Sequence, residues 1–200
     1  MALAEQIQSK LFRLRRAAQT IFRRAQNQSD VARWRDDANL NASWDTRTAM
    51  LATMIAPGSA VLEFGAGRIV LPRYLPANCT YTPSDLVDRG QGTIVCDLNA
   101  ATLPPFPGFQ VAVFSGVLEY VNDLPRLLAH LARDFETIVA SYAVADFLNQ
   151  CTALSRRAHG WVNDFNSREI EELFLRAGFQ CAEKSAWTTQ HLFRFTRVAR

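Results

Sequence analysis

The chain lacks the features that would assign it to several large classes. Its four cysteines, Cys79, Cys96, Cys151 and Cys181, are scattered and form no C-x-x-C. Without paired spacing or a secretion signal, the expected state is reduced thiols in a cytoplasm. The N-terminus has no continuous apolar segment, so neither a signal peptide nor a transmembrane helix is expected. Charge of one sign is scarce too: a net charge of +3 is too weak to argue for nucleic acid. No grouping of carboxylates and histidines suggests a metal, and no internal repeat or low-complexity tract occurs. What remains is 200 residues, 48% of them hydrophobic, enough for one α/β domain with a sizeable core and an appendage.

The stretch that organises this domain is Ala60-Val-Leu-Glu-Phe-Gly-Ala-Gly-Arg68. Ala60 to Phe64 is a short apolar run that reads as a buried strand. Gly65-Ala66-Gly67 then allows a tight turn where a ligand can lie against bare backbone, with the acid Glu63 just before it. Such a strand and turn mark the switch point of a doubly wound sheet. A short helix over Ile69–Leu75 follows, with Pro72 in its first turn.

Further strands are expected at Cys79–Ser84, ending in Asp85, at Thr93–Leu98, which contains Asp97, at Phe109–Phe114 and at Thr137–Tyr142. Asp85 lies near the distance at which doubly wound folds place a ribose-binding acid. The link from Asp85 to Thr93 is short for a parallel crossover, which points to a helix reduced to a turn. Ser43 is expected to cap a helix through Ile55, Asn122 or Asp123 a helix carrying Leu124, Leu127, Leu128 and Leu131, and Ser167 a helix stopped by Gly178. The irregular piece Ala143–Gly160 has the composition of a lid or substrate loop. Two last strands, about Phe179–Trp187 and Gln190–Val198, are joined too tightly for a helical crossover and must pair antiparallel. The expected fold is a doubly wound, mostly parallel seven-stranded sheet with a terminal antiparallel hairpin.

Residues 1–35 are set apart as an amphipathic basic helical extension, and 36–200 as the domain. Leu3, Ile7, Leu11, Leu14, Ala18, Ile21 and Ala25 form one apolar stripe, with Lys10, Arg13, Arg15, Arg16, Arg23 and Arg24 largely off it. The plain expectation is a stripe packed on its own domain or on a second copy, with its basic residues solvated. The alternative is a surface for anionic lipid or another acidic partner.

The acid-x-Gly-x-Gly pattern of Glu63, Gly65 and Gly67 resembles the first motif of the class I S-adenosylmethionine (SAM) methyltransferases. The resemblance extends over about Asn41–Val198, departing where a third glycine is replaced by Ile69. It implies that Glu63 holds the cofactor's methionine ammonium and that Gly65 and Gly67 face its methionine and ribose parts. It also implies that Asp85 accepts from the ribose hydroxyls, that Asp97 accepts from the adenine amino group and that the Leu98 amide meets the ring. Trp44 and Arg47 would flank the methionine end. Ser115 and Gly116 would leave room for the sulfonium, and Glu119, Tyr120 and Tyr142 would face cofactor or acceptor.

The implied reaction is in-line methyl transfer to an oxygen or nitrogen, for which the protein mainly supplies alignment and exclusion of water. His159 is the candidate base, with Asp164 as an alternative or as its orienting partner. The absence of Asn/Asp-Pro-Pro-Tyr after the fourth strand argues against base methylation of nucleic acid, which leaves a small molecule, sugar or lipid-linked glycan. Two rivals stay open: an NAD(P)-dependent oxidoreductase, which should carry glycine at Val70, and an inactive module that keeps the fold.

Overall fold

The computed structural model describes residues 2–146 and 152–198, with residues 2–4 in backbone only. Cys151 and residues 147–151 of the expected lid lie outside the described residues. Seven strands form one sheet: β1 (Ala60–Phe64), β2 (Thr80–Asp85), β3 (Ile94–Val95), β4 (Val111–Phe114), β5 (Thr137–Tyr142), β6 (Phe179–Trp187) and β7 (Gln190–Arg197). Their order is β3-β2-β1-β4-β5-β7-β6. The strands from β3 across to β5 pair in parallel, while β7 runs antiparallel between β5 and β6. The sheet is the doubly wound one expected, with the hairpin folded back so that its second strand meets β5. The order in which successive strands are added reverses between β1 and β4, which opens a crevice at their C-terminal tips.

Both faces of the central strands are apolar because helices cover both. Leu62 and Phe64 of β1 point to the same side as Ala112 and Phe114 of β4, under α4 (Leu124–Leu131) and α6 (Ser167–Arg176). There Phe64 stacks on Phe114 at 4.8 Å between ring centres, and Phe106 meets its edge at 5.1 Å. Burying each such ring contributes about 1.5–3 kcal/mol. Val61, Val111, Val113 and Val139 face the other way, against Leu51 and Ala52 of α3 (Asp45–Ala52). By strand alternation Glu63 shares that second face, where it is the polar interruption.

Several local expectations are corrected. The helix expected from Ser43 begins at Asp45. Its N-cap is Trp44, with no side-chain cap bond, and Asn41 instead caps the preceding 3-10 turn over Ala42–Trp44, its side chain accepting from the Ser43 amide. Likewise Asn166 rather than Ser167 caps α6, in a reciprocal box with Glu169. The helix expected over Ile69–Leu75 is a single 3-10 turn, Leu71–Arg73, because Ile69 sits at φ 52° and cannot begin a right-handed helix. Of the lid, Ala153–His159 is an ordered helix, α5, ended by Gly160 in the left-handed region.

The N-terminal helix α1 (Ala2–Ala25) docks by a face other than its apolar stripe, so the stripe is not packed on its own domain. It packs along α5, burying Ala17 and Thr20, while Ile7, Leu11, Leu14 and Ile21 point outward. Small side chains let the two helices approach closely, and Arg13 donates to Ser155 Oγ at 3.2 Å. Arg16 and Arg23 are half-buried on the docked side rather than solvated.

Candidate cofactor and acceptor cavity

A cavity of about 330 Å³ opens at the C-terminal tips of β1, β2 and β4. Gly65 (φ 70°) and Gly67 (φ 50°) make the turn after β1, and a Cβ at Gly65 would collide with Val117. The Gly67 amide donates to Asp85 Oδ2 at 2.8 Å, tying the turn to the tip of β2. Arg89 lies 3.4 Å from the same carboxylate and also donates to the Trp34 carbonyl.

Glu63 is 2% exposed and accepts from the Tyr81 hydroxyl at 2.6 Å. Burial, the largest influence, pushes its carboxyl up to about 8; Asp85 adds to the rise, and the Tyr81 bond and Arg47 oppose it. At neutral pH the carboxyl is therefore largely protonated and gains its charge readily once a cation is beside it.

The third acid, Asp97, accepts from Ser29 Oγ at 2.6 Å and from the Asn99 amide at 2.9 Å. Asn99 also accepts from Asn27 through its carbonyl and donates to Ser29 Oγ. The segment before residue 36 is thus stitched to the loop after β3, and Thr20, Ser29, Arg33 and Trp34 line the cavity. Leu98 and Trp44 line it as well.

Beyond β4 the expected room for a sulfonium holds the guanidinium of Arg47. This side chain, 5% exposed, donates to Ser115 Oγ at 3.1 Å, to the Ser115 carbonyl at 2.9 Å and to Gln190 Oε1 at 3.2 Å. Gly116 sits at φ 70°, the left-handed region that favours glycine, and a Cβ there would also meet that guanidinium. Arg47 lies over the rings of Trp44 and Trp187, and desolvation pulls its pKa below the usual guanidinium value against the pull of Glu119.

Glu119 is 1% exposed; one carboxylate oxygen accepts from the Ala143 amide at 2.8 Å, and the other, buried, has no hydrogen-bond partner. Burial raises its pKa. At the far end of the cavity Tyr120 meets Trp34 edge-on at 5.1 Å, and Arg33 lies over both rings. His159 stacks on Trp161 at 5.0 Å in the same wall. Its pKa is lowered by burial first and then by Arg13, Arg33, Arg16 and Arg156, which keeps the imidazole neutral at pH 7.

Two expected site residues lie outside this lining. Tyr142 is buried beneath it, its hydroxyl donating to Asn163 and accepting from Arg156 and the Phe165 amide. Asp164 is held by Arg156 at 2.9 Å and Arg157 at 2.5 Å rather than by His159. Conversely, Ser29, Arg33, Trp34, Trp161 and Gln190 line the cavity without having been singled out. They come from remote stretches with no motif between them, so only folding brings them to one place.

The residues present fit a sulfonium nucleoside. Glu63, Asp85 and Asp97 stand at or just beyond the ends of β1, β2 and β3, the distribution needed for an ammonium, a ribose and an adenine amine. Glu63 can take up an ammonium once it releases its proton, and the orphaned Glu119 oxygen leaves a buried polar atom in the wall for a guest to meet. NAD(P) fits less well: Val70 is a buried apolar residue where a dinucleotide turn needs glycine.

Known proteins agree. The methyltransferase domain family matches residues 31–184. The fold is similar to that of the Burkholderia thailandensis 1,6-didemethyltoxoflavin-N1-methyltransferase bound to 1,6-didemethyltoxoflavin and S-adenosylhomocysteine (TM-score 0.61, 17% identity, 82% of each chain). It is also similar to a Haloferax volcanii methyltransferase in complex with the Trm112 activator (TM-score 0.69, 15% identity, 86% of this chain and 99% of that one). The human N-acetylserotonin methyltransferase in complex with SAM aligns over 84% of this chain but only 56% of its own (TM-score 0.66, 13% identity). No curated sequence is a significant match. With its family match, strand order and acid-tipped crevice in agreement, this chain belongs to the methyltransferase domain family and is a SAM-dependent methyltransferase of class I.

Proposed function

We propose that the protein transfers a methyl group from SAM to an oxygen or nitrogen of a small-molecule, sugar or lipid-linked acceptor. The observation that carries this reading is the convergence of Glu63, Asp85 and Asp97 with Ser115, Tyr120 and His159 on one cavity of about 330 Å³. That volume suits a small ligand better than a duplex or a folded protein. The small-molecule acceptor named for the Burkholderia thailandensis enzyme supports the same class.

In this reading Glu63, Asp85 and Asp97 hold the ammonium, ribose and adenine amine, and the glycine turn admits the chain between them. The cofactor supplies a methyl group already activated by the sulfonium charge. Trp44 and Arg47 close the methionine end, and Trp34, Tyr120 and Trp161 exclude water from the acceptor. Glu119 faces the acceptor with its unpaired oxygen. His159, neutral at pH 7, takes the proton from the acceptor's hydroxyl or amine.

Isothermal titration tests the cofactor assignment: SAM should bind and NADH should not. The reverse result overturns the reading. With an acceptor in hand, His159→Gln should lower kcat by about 100-fold, the usual contribution of a general base. SAM affinity should stay near the original value. The wild-type rate should climb with pH through a value below 6.5, the ordinary imidazole value, and level off by neutrality. The variant should lose that limb, and an unchanged kcat would remove His159 from the chemistry.

A further inference from the structure

The docking of α1 leaves a surface that the catalytic reading does not use. Ile7, Leu11, Leu14, Ile21 and Phe22 are each 41–63% exposed, and at 100° per residue they fall on one stripe facing away from α5. A monomer rarely leaves so many large apolar side chains together on one helix. The helix is strongly amphipathic yet far from apolar overall, and no helix among the described residues is long and apolar enough to cross a membrane. That combination belongs to a helix lying in an interface.

Charge decides what covers the stripe. Lys10 and Arg24 border it on one side and Arg15 on the other, all exposed, and Glu5 is the sole acid of the helix. A second copy of α1 laid stripe to stripe would set these cations against the same cations, with Glu5 alone to offset them. An anionic lipid surface takes the apolar residues into its acyl boundary and meets the flanking cations with headgroup charge.

We infer that α1 is a membrane-surface helix that seats the protein on anionic lipid by its outward stripe, independently of what the cavity methylates. The opposite face of the same helix contributes Thr20 and Arg23 to the cavity wall. Lipid contact therefore holds the cavity close to the bilayer surface.

Vesicle flotation of the full chain tests this, with phosphatidylcholine alone and with equal parts phosphatidylcholine and phosphatidylglycerol. The protein should float with the anionic vesicles and not with phosphatidylcholine alone. Leu11→Ser with Phe22→Ser should reduce flotation by roughly tenfold or more, since two large apolar groups are lost. Lys10→Gln with Arg15→Gln should weaken flotation several-fold, as should added salt. SAM titration run alongside reports that each variant is folded. Failure to float with anionic vesicles overturns the inference, as does equal binding to both. A lipid-free dimer in sedimentation velocity, abolished by the Leu11/Phe22 pair, overturns it in favour of a second copy.

Discussion

Glu63→Gln is expected to weaken SAM binding by roughly 10- to 100-fold at pH 8 and above, the loss of one charge-assisted hydrogen bond. The pH dependence separates this from a general defect. Because burial holds the Glu63 carboxyl at about 8, the wild-type site must release a proton to meet the cofactor's ammonium. Affinity should then rise by up to about tenfold per pH unit as pH approaches 8, and flatten above it. Glutamine carries no such proton, so the variant's affinity should be flat over the same range and the two curves should converge near pH 6. Titration in buffers of different ionisation enthalpy should detect proton release at pH 7 in the wild type and none in the variant. Equal proton release in both would detach Glu63 from the cofactor.

The same shift has a consequence for stability without ligand. The folded carboxyl titrates higher than the unfolded one, whose value is near 4.5, so the fold favours the protonated form. Its contribution is complete below about 4.5 and is lost as pH rises toward 8. Glu63→Gln should consequently match or exceed the wild-type Tm at pH 8 while losing the SAM-induced rise in Tm. A variant that simply failed to fold would lose both.

Arg156→Ala is expected to lower stability by about 3–5 kcal/mol, the cost of removing one partner from a buried, hydrogen-bonded charge network. The guanidinium is 1% exposed and donates to the Asn163 carbonyl at 3.1 and 3.2 Å, to the Ala143 carbonyl at 2.7 Å and to the Tyr142 hydroxyl at 3.2 Å. It also pairs with Asp164 at 2.9 Å and lies over Trp161. One side chain thus clamps α5, the end of β5 and the 161–165 segment, which together position His159 and Trp161. For a domain of this size the loss corresponds to a fall in Tm of roughly 10 °C, measurable by thermal unfolding. Asp164→Asn should move Tm less, because that carboxylate is 38% exposed and Arg156 keeps its hydrogen bonds to the Asn163 and Ala143 carbonyls. Comparable losses from both substitutions would mean that the ion pair, not the buried carbonyl network, holds the segment.

Arg156 also shows where sequence reading stops. In Ser155-Arg156-Arg157-Ala158 hydropathy treats both arginines as solvated, yet both are buried because carbonyls and a carboxylate of the 161–164 segment, joined for Arg156 by the end of β5, converge on them. Tyr142 was drawn into that network rather than into the cavity for the same reason. The stripe of α1 is a related case. Its periodicity correctly marks a helix, but period alone does not say whether the apolar or the small-residue side faces the protein. Ala17 and Thr20 won because only short side chains permit close approach to α5.

Residue order was enough to foresee the sheet, the placement of β1 before a glycine turn, the acids around the strand tips and the antiparallel end of the chain. Each is local: apolar alternation, backbone freedom at Gly65 and Gly67, and a link too short for a crossover act within a few residues of their cause. Packing in three dimensions set the rest: Arg47 fills the space beside Ser115, Ser29 reaches Asp97, and Asp164 pairs with arginines instead of His159. The first two join residues 68 apart in the chain, and even for the third, only seven apart, packing geometry rather than sequence settles which buried donor finds which acceptor.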